Sequence, residues 1–131
     1  MEFNFKKLFF WVAVMVGGVV YVQQTYTFGD VLACSHKYPH ADISPAIDYY
    51  VGLVGYLRSD YKAAEQAFQQ VLTDYPTSYY ASYAMYRLGS VYCEQVRWGD
   101  AREIYEKYMS DYPEGEKIDY VRNRHEHLKF R

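Results

Sequence analysis

"LTDYPTSYYASYAMYRLGSVY", residues 72–92, is the stretch on which the reading of the chain turns. Its Asp-Tyr-Pro at 74–76 returns at 111–113 in "MSDYPEG", 37 residues later. The same offset pairs Gly52 with Gly89 and Ala64 with Ala101. It also sets Tyr61 against Trp98, Phe68 against Tyr105, Tyr49 against Tyr86 and Val51 against Leu88. A period in the thirties with small residues at fixed places is the mark of a helical repeat array.

Within one unit the local chemistry is legible. "SPAIDYYVGLVGYLRSD" sets Ile47, Val51 and Val54 at the three- and four-residue steps of an amphipathic helix, with Ser44 as cap and Pro45 in the first helical position. "DYKAAEQAFQQVLTDYP" puts Tyr61, Ala64, Phe68 and Val71 on one face of a second helix, capped by Asp60 and ended by Pro76. Gly52 and Ala64 let the two helices approach closely. The second unit repeats the scheme with Leu88, Gly89, Tyr92, Trp98, Ala101, Tyr105 and Pro113. After Gly115, Ile118, Val121, His125 and Leu128 form one stripe, as a terminal helix covering the last repeat would.

On these residues the chain resembles the tetratricopeptide repeat family. The resemblance rests on "VG", "Y..A...F" and "YP" in unit one, residues 45–78, and on "LG..Y", "W..A...Y" and "YP" in unit two, residues 82–115. Gly55 stands where the family usually has an aromatic. The insertion Tyr79-Tyr80-Ala81 stretches the spacing beyond the family's period of about 34. Longer spacing of this kind is similar to repeats in bacterial envelope proteins, the lipoprotein partner of the outer-membrane barrel-assembly machinery among them. The resemblance implies an all-α solenoid of two helix pairs and a cap, whose first helices line a concave groove. By position the groove takes Tyr49, Leu53 and Tyr56 from unit one and Tyr83, Tyr86, Ser90 and Cys93 from unit two, with Tyr79 and Tyr80 at its entrance. The family's lysine and asparagine clamp for a terminal carboxylate is absent at the matching positions.

The chain has 17 tyrosines in 131 residues, more than the packing positions demand. An exposed tyrosine surface suits recognition, since each ring brings a broad apolar face, a hydroxyl and little entropy to lose. Burial of the same rings against the linker or the cap is the alternative.

Residues 1–29 read as a cytoplasmic N-terminus and membrane anchor. Lys6 and Lys7 precede a stretch from Leu8 to Gly29 without charge, 22 residues or about 33 Å as a helix. Leu8, Phe9, Phe10, Trp11, Val12, Val14, Met15, Val16, Val19, Val20, Tyr21 and Val22 are its lipid-facing candidates. The lysines place the N-terminus inside, so a single-pass inner-membrane signal-anchor with the repeats outside is expected. A signal peptide cleaved after Val22 and a lipid on Cys34 in "VLAC" are the alternatives. Residues 30–44 read as a loop-like linker, 45–115 as the repeats and 116–131 as the capping helix.

Little in the sequence points to catalysis. A net charge of −2 gives no pull toward nucleic acid. Cys34, His36 and His40 lack a fourth ligand at a recognised zinc spacing. His125 and His127 diverge by roughly 200° on a helix, and Glu65, Glu103 and Glu106 fall on solvated faces. No phosphate-binding glycine loop is present, and no cofactor or small-molecule substrate is expected. One bridge between Cys34 and Cys93 is conceivable in an oxidising compartment. The function expected is non-catalytic: a membrane-anchored protein-binding module, foremost an accessory or scaffolding subunit of a larger integral-membrane complex. A free-standing envelope-assembly adaptor is the second reading. A small redox or metal-binding protein using Cys34, His36, His40 and Cys93 is the third.

Overall fold

The computed structural model describes residues 5–25, 27–37, 40 and 43–131, with side chains described from residue 10 onward except at 19, 22–25, 28 and 36. Regular structure among the described residues is entirely helical. It comprises α1 (Phe5–Thr25), α2 (Phe28–Lys37), α3 (Ser44–Leu57), α4 (Tyr61–Asp74), α5 (Tyr79–Glu94), α6 (Trp98–Asp111) and α7 (Ile118–Leu128). The pairs α3/α4 and α5/α6 are the two repeats, each packing within itself and against the next, and α7 lies on α6.

Glycines set the closeness of each pair. A Cβ at Gly52 would come 2.6 Å from Phe68 Cε1, and one at Gly89 would come 2.3 Å from Tyr105 Cε1. Both rings are wholly buried. Each ring thus packs directly against a helix backbone, and burying it is worth about 1.5–3 kcal/mol. Each first helix ends in a left-handed residue, Ser59 (φ 60°) and Val96 (φ 61°), again 37 apart. Past them the Asp60 amide donates to Gly55 O (2.9 Å) and the Arg97 amide to Tyr92 O (2.9 Å), closing the helix ends in the same way. Asp60 caps α4 through its carboxylate, which accepts from the Ala63 amide at 3.2 Å.

Three expectations change. First, the buried face of α3 is not Ile47, Val51 and Val54. Pro45, Asp48, Tyr49, Gly52 and Gly55 face the core, while Ile47 and Val54 are 37% and 42% exposed. The helix is apolar on nearly every side, so periodicity cannot choose its face; the glycines, which admit Phe68 and the α4 backbone, choose it. Ser44 is the first helical residue rather than the cap, and its Oγ accepts from the His40 amide at 2.8 Å.

Second, the linker holds a helix. At its start Asp30 reaches back as in one half of a capping box, the Thr27 amide and hydroxyl both donating to Asp30 Oδ2 at 2.8 and 2.7 Å. That hydrogen bonding holds the Asp30 carboxyl below its ordinary range. Leu32 and Ser35 are buried, and Gln70 Nε2 on α4 donates to Asp48 Oδ2 (3.1 Å) and to Leu32 O (3.4 Å), tying α2, α3 and α4 together. Both described thiols are free, so the bridge between Cys34 and Cys93 is not formed.

Third, the expected membrane span draws no support from the structure. Among the described residues no helix is long and apolar enough to cross a membrane. The unbroken apolar run, Leu8 to Val22, is 15 residues, about 22 Å of helix against a hydrocarbon core of about 30 Å. Of the lipid-facing set, the side chains of Leu8, Phe9, Val19 and Val22 lie outside the described residues. Phe10, Trp11, Val12, Val14, Met15, Val16, Val20 and Tyr21 are all exposed, between 46% and 70%, and α1 makes no substantial contact with the other helices.

Candidate protein-binding surface

The side on which the groove is expected is formed by the first helix of each pair, α3 and α5, and continued by α7. Along it the tyrosines touch in sequence. Tyr50 meets Tyr49 (5.5 Å between ring centroids), Tyr49 meets Tyr80 (5.3 Å), Tyr80 meets Tyr79 (5.4 Å) and Tyr79 meets Tyr83 (5.1 Å). Tyr83 then meets Tyr86 (6.2 Å) and Tyr86 meets Tyr120 of α7 (5.7 Å). Edge-on and tilted contacts at these distances are favourable for aromatic rings.

The expected groove residues divide by depth. Tyr49, Tyr86 and Ser90 are buried, at 8%, 7% and 3% exposure, and belong to the floor. Leu53, Tyr56, Tyr80, Tyr83 and Cys93 are half-buried and form the walls. Tyr79, 73% exposed, stands at the rim. Self-burial therefore accounts for the floor, and the walls and rim remain open. Four residues absent from the expected set join them: Tyr50, Arg87, Tyr120 and Arg124. The repeat offset carries the signal for two of them, since Tyr120 stands 37 residues after Tyr83 and Arg124 stands 37 after Arg87.

Charge is arranged around the rings. Arg87 lies over the Tyr86 ring with its guanidinium carbon 5.0 Å from the centroid. Its Nε is shielded from solvent and finds no hydrogen-bond acceptor among the described residues. Arg124 Nε donates to the Tyr120 hydroxyl (3.2 Å), which lies 3.3 Å from Ser90 Oγ. At the rim the Tyr79 and Tyr83 hydroxyls are 3.1 Å apart, and Tyr83 donates to the Glu116 carboxylate, which also takes Lys117 Nζ at 2.7 Å. Lys117 first, and Tyr83 after it, hold the Glu116 carboxyl below its usual range; the bond to Glu116 pushes the Tyr83 phenol up. Burial pushes the Tyr56 and Tyr86 phenols up, so these two hydroxyls stay protonated donors at neutral pH. The result is an aromatic channel with uncharged hydroxyls and two guanidiniums one repeat apart.

A family described as "YfiO: Outer membrane lipoprotein" matches residues 41–124, which is most of the chain and all of both repeats. The chain belongs to the YfiO family. Its repeat domain is accordingly of tetratricopeptide type, as the spacing of Gly52, Ala64, Phe68 and their partners implies, in a family of envelope proteins. The match takes in Tyr120 and Arg124, so residues 118–124 of α7 fall within it. Comparison with curated proteins gives no match.

Among the described residues no group of three His, Cys, Asp or Glu side chains could hold an ion. The His36 side chain lies outside the described residues, Cys34 is exposed on α2, and Cys93 is half-buried with burial raising its thiol pKa. His125 instead meets Glu106 across α7 and α6 at 3.0 Å.

Proposed function

We propose that this chain is a non-catalytic protein-binding module of the bacterial envelope, held at a membrane by α1, that seats a segment of another protein in the concave aromatic channel. The observation that carries the reading is the open half of the tyrosine ladder. Tyr50, Tyr79, Tyr83 and Tyr120 keep exposed surface, and Arg87, laid on the Tyr86 ring of the same ladder, has an Nε with no acceptor among the described residues. Aromatic and arginine side chains are the usual anchors of protein interfaces, and the open ring faces and hydroxyls of this ladder are available to a partner.

Membership in an envelope family favours an assembly or accessory role, either as a subunit of a larger membrane complex or as a free-standing adaptor. The attachment rests on the exposed apolar surface of α1 and on the two lysines before it. A run shorter than the bilayer core is accommodated by local thinning and by lysines reaching to the headgroups. A lipid on Cys34 fits less well, because the cleavage it requires would remove Leu32, which is buried in the fold, and the Thr27–Asp30 cap.

The test is affinity capture of C-terminally tagged chain from membranes solubilised in mild detergent. A defined set of proteins should co-purify in stoichiometric amount, and Tyr79→Ala combined with Arg87→Gln should release them while circular dichroism stays unchanged. Retention of the same partners by that folded variant would exclude the channel as the binding surface. Extraction of the chain by alkaline carbonate would exclude α1 as the attachment.

A further inference from the structure

The repeat offset shows how much of α3 lies open. Ala84 and Val91 of α5 stand 37 residues before Val121 and Leu128 of α7, and all four are no more than 5% exposed. Their α3 counterparts, Ile47 and Val54, are 37% and 42% exposed, because α2 covers that side of α3 only in part. Beside α2 this leaves a groove of about 400 Å³, with Val31 on one wall and Ile43, Ala46, Ile47, Tyr50 and Val54 on the other. No charged side chain lines it. Ile43, Ile47, Tyr50, Val54 and Leu57, between 37% and 73% exposed, recur at steps of four and three, the spacing by which two helices pair along a seam.

We propose that a second copy of this chain covers the stripe, with α3 antiparallel to α3 of the partner subunit about a two-fold axis at Tyr50. The stripe is its own complement. It runs seven residues to either side of Tyr50, so reversal sets Ile43 against Leu57 of the partner subunit and Ile47 against Val54 of the partner subunit. A parallel pair would instead bring like charges together at Arg58 and Asp60, just past the end of α3. A head-to-tail stack is disfavoured because the other end of the array is polar. There α7 exposes Arg122, Asn123 and Glu126, and pressing an apolar stripe on them would strip water from charges.

The area agrees with this occupant. With Val31, the stripe leaves roughly 500 Å² of apolar surface open, at about 150–200 Å² for each such side chain when fully exposed. Two copies face to face would remove about 1,000 Å² from water, the lower bound for a specific interface. A contact centre without charge is the composition of homodimers rather than of transient partners. Because Tyr50 also touches Tyr49 and Tyr80, the two tyrosine ladders would meet end to end at the axis.

The experiment uses the full chain with Cys34→Ser and Cys93→Ser. Sedimentation velocity in mild detergent gives a protein dimer. Ile47→Glu with Val54→Glu weakens it at least tenfold while circular dichroism stays unchanged, since both positions are open in the single chain. Under mild oxidation Tyr50→Cys bridges two chains at least tenfold faster than Gly99→Cys on α6. Ile43→Cys combined with Leu57→Cys also bridges them, and Leu57→Cys alone does not. A monomer at every concentration, a Tyr50→Cys bridge no faster than that of Gly99→Cys, or bridging by Leu57→Cys alone would each overturn the proposal. So would a dimer that survives the two glutamates in a folded chain, which would assign the pairing to another surface. If vesicles of phosphatidylethanolamine and phosphatidylglycerol shield Tyr50→Cys from maleimide in a chain that stays monomeric, lipid covers the stripe and the proposal fails.

Discussion

Replacing Gly52 with alanine sets two effects of known sign against each other. In an open helix the change stabilises by up to about 1 kcal/mol, because alanine loses less backbone freedom on folding. Here the new methyl would sit 2.6, 2.8 and 3.0 Å from Phe68 Cε1, Cδ1 and Cζ. Carbon atoms rest at about 3.5–4.0 Å, so the ring or the helix must yield by roughly an ångström. Phe68 has no exposed surface and Tyr49 stands 5.8 Å away, centroid to centroid, so the ring has nowhere to turn. Overpacking of this kind costs about 1–3 kcal/mol. The net expectation is a loss of about 1 kcal/mol, and at a urea dependence of about 2 kcal/mol per molar the midpoint falls by about 0.5 M.

Gly99→Ala in α6 is the control, since nothing lies within 4 Å of its Cβ; it should hold or raise the midpoint. Urea titrations of the chain in mild detergent, followed by circular dichroism, measure both. Phe68→Leu in the Gly52→Ala background should recover part of the loss, a coupling of about 1 kcal/mol in a double-mutant cycle. If Gly52→Ala matches Gly99→Ala, the close approach of α3 and α4 is not what the glycine provides, and the account of the α3 face falls with it.

Other outcomes follow from named side chains. Val96 is β-branched at φ 61° and 63% exposed, so Val96→Gly should raise stability by about 1 kcal/mol in the same titration. Burial pushes the phenols of Tyr105, Tyr86 and Tyr92 above 10. The unfolded chain therefore releases protons that the folded chain keeps. Stability contributed by these groups is complete below about pH 10 and is lost as pH rises past it, visible as phenolate absorbance that appears together with unfolding rather than before it. Thr27→Ala removes the hydroxyl's bond to the Asp30 carboxylate and should cost about 0.5–1 kcal/mol of local stability, read as faster hydrogen exchange in 28–37 with α5 and α6 unchanged. Arg97 joins Glu65 (2.9 Å), Asp100 (2.6 Å) and the Tyr92 ring (4.4 Å) between the repeats. Arg97→Ala should lower the midpoint slightly, and less so in high salt.

Much of the solenoid was legible because its second helices are amphipathic. Phe68, Val71, Tyr105 and the small residues facing them read the same way from periodicity as from the structure. α3 was not, because an all-round apolar helix leaves its face to be chosen by contacts with another helix, here at Gly52 and Gly55. α2 was hidden by its polar composition, though Thr27-x-x-Asp30 is a helix start and Tyr38-Pro39 repeats at the array's own interval. The groove was half legible. Family geometry pointed to Tyr79 and Tyr83, but three-dimensional depth alone shows that Tyr49, Tyr86 and Ser90 are floor. Tyr120 and Arg124 needed the offset to be followed one unit further than the Asp-Tyr-Pro pair suggests, and Arg87 carried no repeat signal of its own.

The helix found where a tether was expected changes how far the module can reach. Fifteen flexible residues could carry a binding site about 50 Å from its anchor. With α2 packed on α3 and only two residues between Thr25 and Phe28, the joint itself spans about 7 Å at most. Under the attachment by α1 proposed above, the channel would be held close to the headgroups and would sweep only a small cap of space. A ligand for it would then have to be presented at the membrane surface, by a segment that runs alongside the bilayer or emerges from it.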